Sequence, residues 1–588
     1  MSKDIIGSFS FVLHSHLPYV LSHGTWPHGT DWINEAAAEC YIPILNVIRE
    51  LVEEGISPKM TIGITPVLTE QLSDKSFKEG FKNYLEVKIQ AAEENRKEFL
   101  STEKKLLTEL AERWCRWYSK ILSDFNNVYN EDIVQSFAKF QNECHVEIIT
   151  CAATHGYLPL LGEDVAVQAQ VKQAISAYKR HYGRHPKGIW LPECAYRPRY
   201  KWRSPLDLSE TDEKNTGVVR KGVEEFLSEN GIEYFIIDSH LLKGGKAIGI
   251  YLDRYEALQV LWSRFAGQYQ ERPEEVEKSP YEIYLVSSSG AAESKKPVAV
   301  FTRDPKTGIQ VWSGEHGYPG DGRYLDFHKK HFPGGHRYWK VTSSKSDLAD
   351  KLEYYPEDTE DALTQQSDHF KALIKETLRK YKNSSGKPGI LVAPFDAELF
   401  GHWWFEGTEW IKRVIRHVAQ DPELVLTTCG EYLENNPTTS VITLPEGSWG
   451  EGGFHWIWLN EWTKWTWKHI YEAEKEMKEL AKEFSNSSDG RIRDVMQQLA
   501  RELLLLESSD WQFLISTWSA RDYAEIRVDR HYRDFKELVK IVRKLSRGEE
   551  VSEGEWIYFA DCKQRDSLFP DVDPSWWAKL DYPPVEGT

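Results

Sequence analysis

The sequence predicts an α/β protein: a parallel barrel interrupted by a helical insertion and followed by a C-terminal α-helical domain. Three observations carry this reading. First, short apolar runs end in ionisable residues. The clearest are GIWLPECAYRP (188–198), which closes at Pro192 and delivers Glu193, and GILVAPFDAELFGHWWFEG (389–407), which ends at Asp396. Second, helix-periodic stretches separate such runs, as in a parallel sheet. Third, residues 76–141 and much of the chain beyond 446 are charged or aromatic and helix-periodic rather than strand-like. The expected division is 1–75 and 142–430 for the barrel, 76–141 for the insertion and 431–588 for the helical domain, which contributes aromatic residues to the cleft.

The chain has 588 residues, too many for one simple core. Its 73 basic and 91 acidic residues give a net charge of −18, which disfavours nucleic acid or an anionic membrane and suits a neutral polymer. No apolar run is long enough to span a bilayer, and the first residues lack a signal-peptide pattern. The 7 cysteines are odd in number and scattered, which reads as reduced thiols and a cytoplasmic location. The 23 tryptophans, many beside glycines and acids, tilt the reading toward carbohydrate binding.

Taken in order, SFSFVLHSHLPYV (8–20) reads as a strand whose alternation puts His14 and His16 on one side. The pair could ligate a metal or hydrogen-bond substrate hydroxyls, and no Asp accompanies it locally as a further ligand. Residues 41–51 are helix-periodic, and MTIGITP (60–66) is the second strand. In the insertion, Leu100, Leu107, Leu110, Trp114, Trp117 and Ile121 mark one buried helix face. VEIITCAATHGYLPLL (146–161) is a strand that presents His155, and a helix over 166–182 leads to the Glu193 stretch. There Trp190 would desolvate the acid, and Arg197 can pair with acids or substrate oxygens. GIEYFIIDSHLL repeats the pattern at Asp238, and His155, Trp190 and Asp238 are expected to contact substrate.

Residues 262–298 read as a flexible insertion. The next segment, VWSGEHGYPGDGRYLDF, has glycines spaced to hinge a loop carrying Tyr318 and Tyr324, either of which could cover a cleft or pack in a turn. Helices are expected at 359–382 and 407–418. Beyond 446, Trp458, Trp462, Trp465 and His469 share helical spacing, whereas Trp449 sits between glycines and is the better substrate-contact candidate; Trp458 and Trp462, in the 456–467 aromatic cluster, are further ones. Ile492, Val495, Met496, Leu499 and Leu503 mark an amphipathic helix. Two carboxylates delivered by two strand ends into aromatic surroundings point to glycoside chemistry.

The stretches HSHLPYV, ATHGYLPLL, GIWLPECAY, FDAELFGHWWFEG and SWGEGGFHWIWLN resemble, in order, the five signature regions of glycoside hydrolase family 57, with a close match to its 1,4-α-glucan branching enzymes. The resemblance implies a (β/α)7 barrel, a distorted TIM-like fold, with an inserted helical domain and a C-terminal helical domain. It implies a retaining double displacement with Glu193 as nucleophile and Asp396 as acid/base, and a tyrosine-bearing glycine-rich loop that falls on GYPGDGRY. Retention requires the two carboxyl groups to meet at about 5–5.5 Å, although 203 residues separate them.

Donors such as His14, His155 or Arg197 are expected to hold the Glu193 charge, and Trp403 and Trp404 to desolvate Asp396. Trp449, the 456–467 aromatic cluster with Trp458 and Trp462, and the glycine-rich loop are the candidates for an acceptor platform. Neither cofactor nor metal is expected, and the partner is an α-glucan handled by a monomer or small homo-oligomer. The rival readings are a 4-α-glucanotransferase or α-amylase of the same fold, a metal-dependent deacetylase-like enzyme using His14 and His16, and a silent glucan-binding protein.

Overall fold

The structure is a computed structural model that describes residues 5–206, 217–243, 278–288, 297–313, 317–343 and 345–584. Most of the 262–298 insertion and part of the glycine-rich loop lie outside the described residues. Seven strands form the centre: β1 (Gly7–Ser15), β2 (Met60–Ile64), β3 (Val146–Cys151), β4 (Gly188–Trp190), β5 (Tyr234–Ile237), β6 (Val298–Thr302) and β7 (Gly389–Asp396). Their spatial order is β7-β1-β2-β3-β4-β5-β6, with every neighbouring pair parallel.

The curl comes round at Arg303, just past β6, which makes a parallel bridge to Val392 in β7, and the Asp304 amide donates to the Val392 carbonyl at 3.1 Å. That seam is thin because the Tyr284–Val286 strand pairs antiparallel with β6 and Val441–Ile442 follows it. β2, β5 and β6 are buried at every residue, as expected of strands covered on both faces. Gly188 opens β4 where a Cβ would lie 2.3 Å from the Tyr234 ring, so only glycine lets β4 approach β5 that closely.

Between β2 and β3 the chain forms α1 (Lys75–Ser101) and α2 (Lys105–Ser123), packed on one another. The Asp74 side chain caps α1 by accepting from the Ser76 amide. Leu107, Leu110, Trp114 and Ile121 are buried as their spacing predicts, but Leu100 is 60% exposed because Phe99 takes the inward position in the last turn. Trp117 lies at the edge of the face, edge-on to Trp114 at 5.5 Å.

Beyond the barrel come α3 (Lys464–Phe484), α4 (Gly490–Leu506), α5 (Asp510–Thr517) and α6 (Arg521–Ser546). The five apolar residues assigned to one face of α4 are all buried. The helical face assigned to Trp458, Trp462, Trp465 and His469 does not exist as a unit, since the helix starts only at Lys464. The Asn460 side chain stabilises turns before it, donating to the Trp456 and Ile457 carbonyls and accepting from the Trp462 amide. The loop after β1 is tied to the far end of the chain. Tyr19 donates to the Arg565 carbonyl at 3.2 Å, and His23 Nε2 meets the Asp566 carboxylate at 2.6 Å.

Two acids in the helical region, Glu474 and Glu507, are buried, and the charge of Arg220 draws the first down only in part. Burial, then the charge of Glu507, pushes the Glu474 carboxyl well above its usual range. Burial raises Glu507 to about 8, although the Gln170 amide donates to it at 2.7 Å. Unfolded, Glu474 ionises near pH 4.3. Folded, it keeps its proton, so raising the pH above about 4 favours the unfolded state until the buried group itself ionises. Glu474→Gln removes that effect. Thermal melts are expected to show the variant matching wild type near pH 4 and exceeding its Tm increasingly toward pH 8.

Candidate active site

Glu193 stands one turn past β4, in the short 3-10 segment Pro192–Cys194, with φ 58°. Cys194 (φ 47°) and His155 (φ 59°) also occupy the left-handed region that non-glycine residues avoid. Three such residues at two adjacent strand ends mark a site where side-chain aim outweighs backbone comfort. The segment around Ser448 and Trp449 holds this turn in place. The Trp449 amide donates to the Glu193 carbonyl at 3.0 Å, and Tyr196 and Gly447 exchange amide–carbonyl bonds of 2.8 and 3.0 Å.

The Glu193 carboxylate accepts the Trp449 indole N–H at 2.6 Å, and His155 Nδ1 lies 3.9 Å from its other oxygen. Burial is the main force on this acid and raises its pKa to about 8. The Trp449 N–H opposes the shift, while the charges of Asp396 and Asp510 add to it. Glu193 and Asp396 therefore feel one another electrostatically, which brings together two residues far apart in sequence. Asp396 ends β7, opposite His14 in the β1 register.

His14, His16 and His155 form one stack. The His16 and His155 rings lie 3.9 Å apart, and the His14 and His155 Nε2 atoms 3.1 Å apart. Trp190 covers His14 at 4.7 Å and meets Trp449 edge-on at 5.2 Å. Burial, then the neighbouring imidazoles, holds His14 and His155 well below the usual histidine range, so both are neutral. His16 contacts both oxygens of Asp510 at 2.9 and 3.0 Å and Thr65 Oγ1 at 3.1 Å; His155 Nδ1 lies 2.8 Å from Ser509 Oγ. Burial works against the Asp510 charge, but His16, His155 and Ser508 outweigh it and bring the pKa down to about 2. His16, His155 and Asp510 offer donor atoms within 4.8 Å of one another, of types that bind divalent metals. Those atoms are already engaged with one another and with Ser509.

On the opposite side, Asp238 at the end of β5 accepts from Arg303 at 3.0 Å, with His240 at 3.5 Å. Burial opposes its charge, but Arg303 and His240 hold it well below the usual carboxylate range. The Arg303 guanidinium lies 5.9 Å from the Trp449 ring, so Trp449 is wedged between this ion pair and Glu193. Glu398 accepts from the His16 amide at 3.1 Å and from Tyr41 at 2.6 Å. Burial, with the Asp396 charge adding to it, raises its pKa to about 8.

Several expectations need correction. Arg197 does not hold the Glu193 charge: it is fully buried beside Asp164 (3.5 Å) and the Lys221 carbonyl (3.1 Å), where Arg220 also binds Asp164. Tyr318 and Tyr324 do not cover a cleft. Both are packed under the Thr359–Ser385 helix, the first 2.7 Å from His369 Nδ1 and the second donating to Gln366 at 2.6 Å. Trp404 is core, packed with Tyr324, Phe400 and Trp410, while Trp403 is 37% exposed. Trp190 and Trp458 are buried, the latter against Tyr157 at 4.6 Å. Trp449 is 8% exposed, and its indole N–H serves Glu193 rather than an open stacking surface. Trp462 is half-buried against Trp518.

Arg303, Glu398 and Asp510 escaped the sequence reading. Arg303 follows VAVFT and obeys the same rule that singled out Glu193. Glu398 lies inside the Asp396 stretch. Asp510 carries no signal beyond its place at a helix start after SS.

The family model described as glycosyl hydrolase family 57 matches residues 10–445, and that described as the C-terminal part of 1,4-alpha-glucan branching enzyme matches 469–577. A 1,4-alpha-glucan branching enzyme of Thermococcus kodakarensis is 40% identical over 567 residues, 96% of this chain and 78% of that protein. The crystal structure of a family 57 branching enzyme from Pyrococcus horikoshii superposes with a TM-score of 0.85 at 37% identity, covering 99% of this chain and 98% of that one. An α-amylase structure from Thermotoga maritima gives a TM-score of 0.78 at 29% identity, covering 98% and 100%. With both halves matched and the signature stretches converging on one set of strand ends, the chain belongs to glycosyl hydrolase family 57.

Proposed function

We propose that this protein is a 1,4-α-glucan branching enzyme that cleaves an α-1,4 linkage and rejoins the freed chain to a 6-hydroxyl by retaining double displacement. The observation that carries the reading is Glu193: a desolvated acid, strained into position, bound by the Trp449 N–H and coupled to Asp396. In the first step Glu193 attacks the anomeric carbon while Asp396 gives its proton to the leaving glycosidic oxygen. In the second, Asp396 takes the proton of an acceptor 6-hydroxyl, which displaces Glu193 from the same carbon. Two inversions preserve the α configuration.

The chemistry needs one proton on the pair, held by Asp396, with Glu193 charged. Charge on Asp396 or Asp510 disfavours charge on Glu193, while the Trp449 N–H favours it. The neutral imidazoles of His14 and His155, with His16 and Asp510, offer donors and acceptors to sugar hydroxyls. Asp238, backed by Arg303, does so from the other side. The C-terminal branching-enzyme match at 469–577 favours transfer over hydrolysis.

The reading extends to a helical insertion over 76–141 and a C-terminal helical domain from 431, acting as a monomer or small homo-oligomer. It also includes a cytoplasmic location, supported by 7 cysteines without a disulfide. Among the described residues no helix is long and apolar enough to cross a membrane.

Proton NMR of amylose incubated with the protein tests the function: a growing α-1,6 anomeric signal is expected, absent with Glu193→Gln. The likeness to the Thermotoga maritima amylase gives the second reading, in which only reducing ends accumulate.

A further inference from the structure

Helix α5 begins inside the site, at Asp510, and ends at the surface. Its eight residues span about 12 Å. The residue that terminates it is Trp518, with φ 57° and ψ 16°, the left-handed position that usually falls to glycine. A tryptophan there strains its backbone, yet the ring is 50% exposed and recovers little by packing inward.

Its neighbour is Trp462, with ring centroids 5.2 Å apart and planes tilted by 35°. Asn460 locks the two segments together. It accepts from the Trp462 amide at 2.9 Å and donates to Ser516 Oγ, two residues before Trp518, at 2.8 Å. Two large rings are thus held rigidly, one by a strained backbone, with aromatic surface left toward solvent. Strain retained where packing does not require it is a reason to ask for a ligand there, and a flat, pre-organised aromatic surface suits the apolar faces of sugar rings.

We propose that Trp462 and Trp518 form a remote glucan platform, which grips the α-glucan a few sugar residues from Glu193 and Asp396 and so makes the protein favour long chains. This rests on the reading that the site acts on α-glucan. α5 sets the spacing, since one end touches the catalytic cluster and the other carries the platform. The net charge of −18 leaves a neutral polymer as the fitting occupant.

The test is equilibrium binding by calorimetry in the Glu193→Gln background, where turnover is too slow to disturb the titration, using amylose and maltotriose as probes. Trp518→Gly is expected to weaken amylose binding about tenfold and maltotriose binding less than about twofold. Its Tm should not fall, because glycine takes the left-handed conformation without strain. Trp462→Ala should reproduce the selective loss for amylose. Unchanged amylose affinity in both variants, or equal losses for both probes, would overturn the platform. A lower Tm with unchanged affinity would assign the rings to the fold instead. Failure of the branching reading shows elsewhere, as missing α-1,6 signal in the wild-type product, and leaves this binding test intact.

Discussion

Replacing Glu193 by Gln is expected to lower kcat on amylose about 10⁴-fold or more, a barrier increase of about 5.5 kcal/mol, with glucan binding retained. The amide oxygen of Gln can still accept the Trp449 N–H, so the geometry of the turn survives while the proposed nucleophile is lost. Asp396→Asn is expected to cost about 10²–10⁴-fold on amylose, and much less on an aryl α-glucoside whose leaving group needs no proton. Azide separates the two roles further. With Asp396→Asn it should intercept the glycosyl-enzyme and give the α-glycosyl azide, whereas with Glu193→Gln it should attack directly and give the β-anomer. Product stereochemistry by NMR checks this, and the reverse pattern would exchange the two assignments.

The second large effect concerns Trp449→Phe. The phenyl ring keeps the edge-on contact with Trp190 but removes the N–H that lies 2.6 Å from Glu193. A hydrogen bond to a charged group is worth about 1.5–3 kcal/mol, so kcat at pH 7 should fall roughly ten- to a hundredfold. The pH profile carries the sharper expectation. In wild type, kcat/KM is expected to fall at alkaline pH, where the pair loses its last proton; burial holds Glu193, one member of it, up at about 8. The indole N–H lowers the Glu193 pKa, so its removal raises that pKa and moves the alkaline limb to higher pH. A profile measured from pH 5 to 10 that drops without shifting would mean the indole positions Glu193 without setting its charge.

The barrel was legible because parallel strands buried on both faces write themselves as short apolar runs, and because Glu193, Asp396, Asp238 and His155 all follow such runs. Arg303 obeys the same rule and could have been found by applying it once more. The tryptophans were less legible. Periodicity can say that a ring belongs on one side of a helix, but Trp404, Trp458 and Trp190 differ from Trp462 only in what the rest of the chain packs against them. The glycines around Tyr318 and Tyr324 promised a hinge, whereas the partners that pin both hydroxyls, His369 and Gln366, come from a helix some forty to fifty residues later. Asp510 was hidden for the same reason, since a side chain that reaches the site from another part of the chain leaves no local pattern.

The tie between His23 and Asp566 spans 543 residues of sequence. On the ribosome, at about 5–20 residues per second, the first of these emerges roughly half a minute to two minutes before the second. His16, which closes on Asp510, waits nearly as long, and Glu193 meets its Trp449 donor only after the whole barrel has been made. The nascent chain therefore carries Glu193 through 256 further residues of synthesis before its Trp449 donor is made, and Asp396 through 114 before Asp510 is made. Assembly of the site therefore falls in the last part of translation, when Trp449 and Asp510 join the strand ends made long before them.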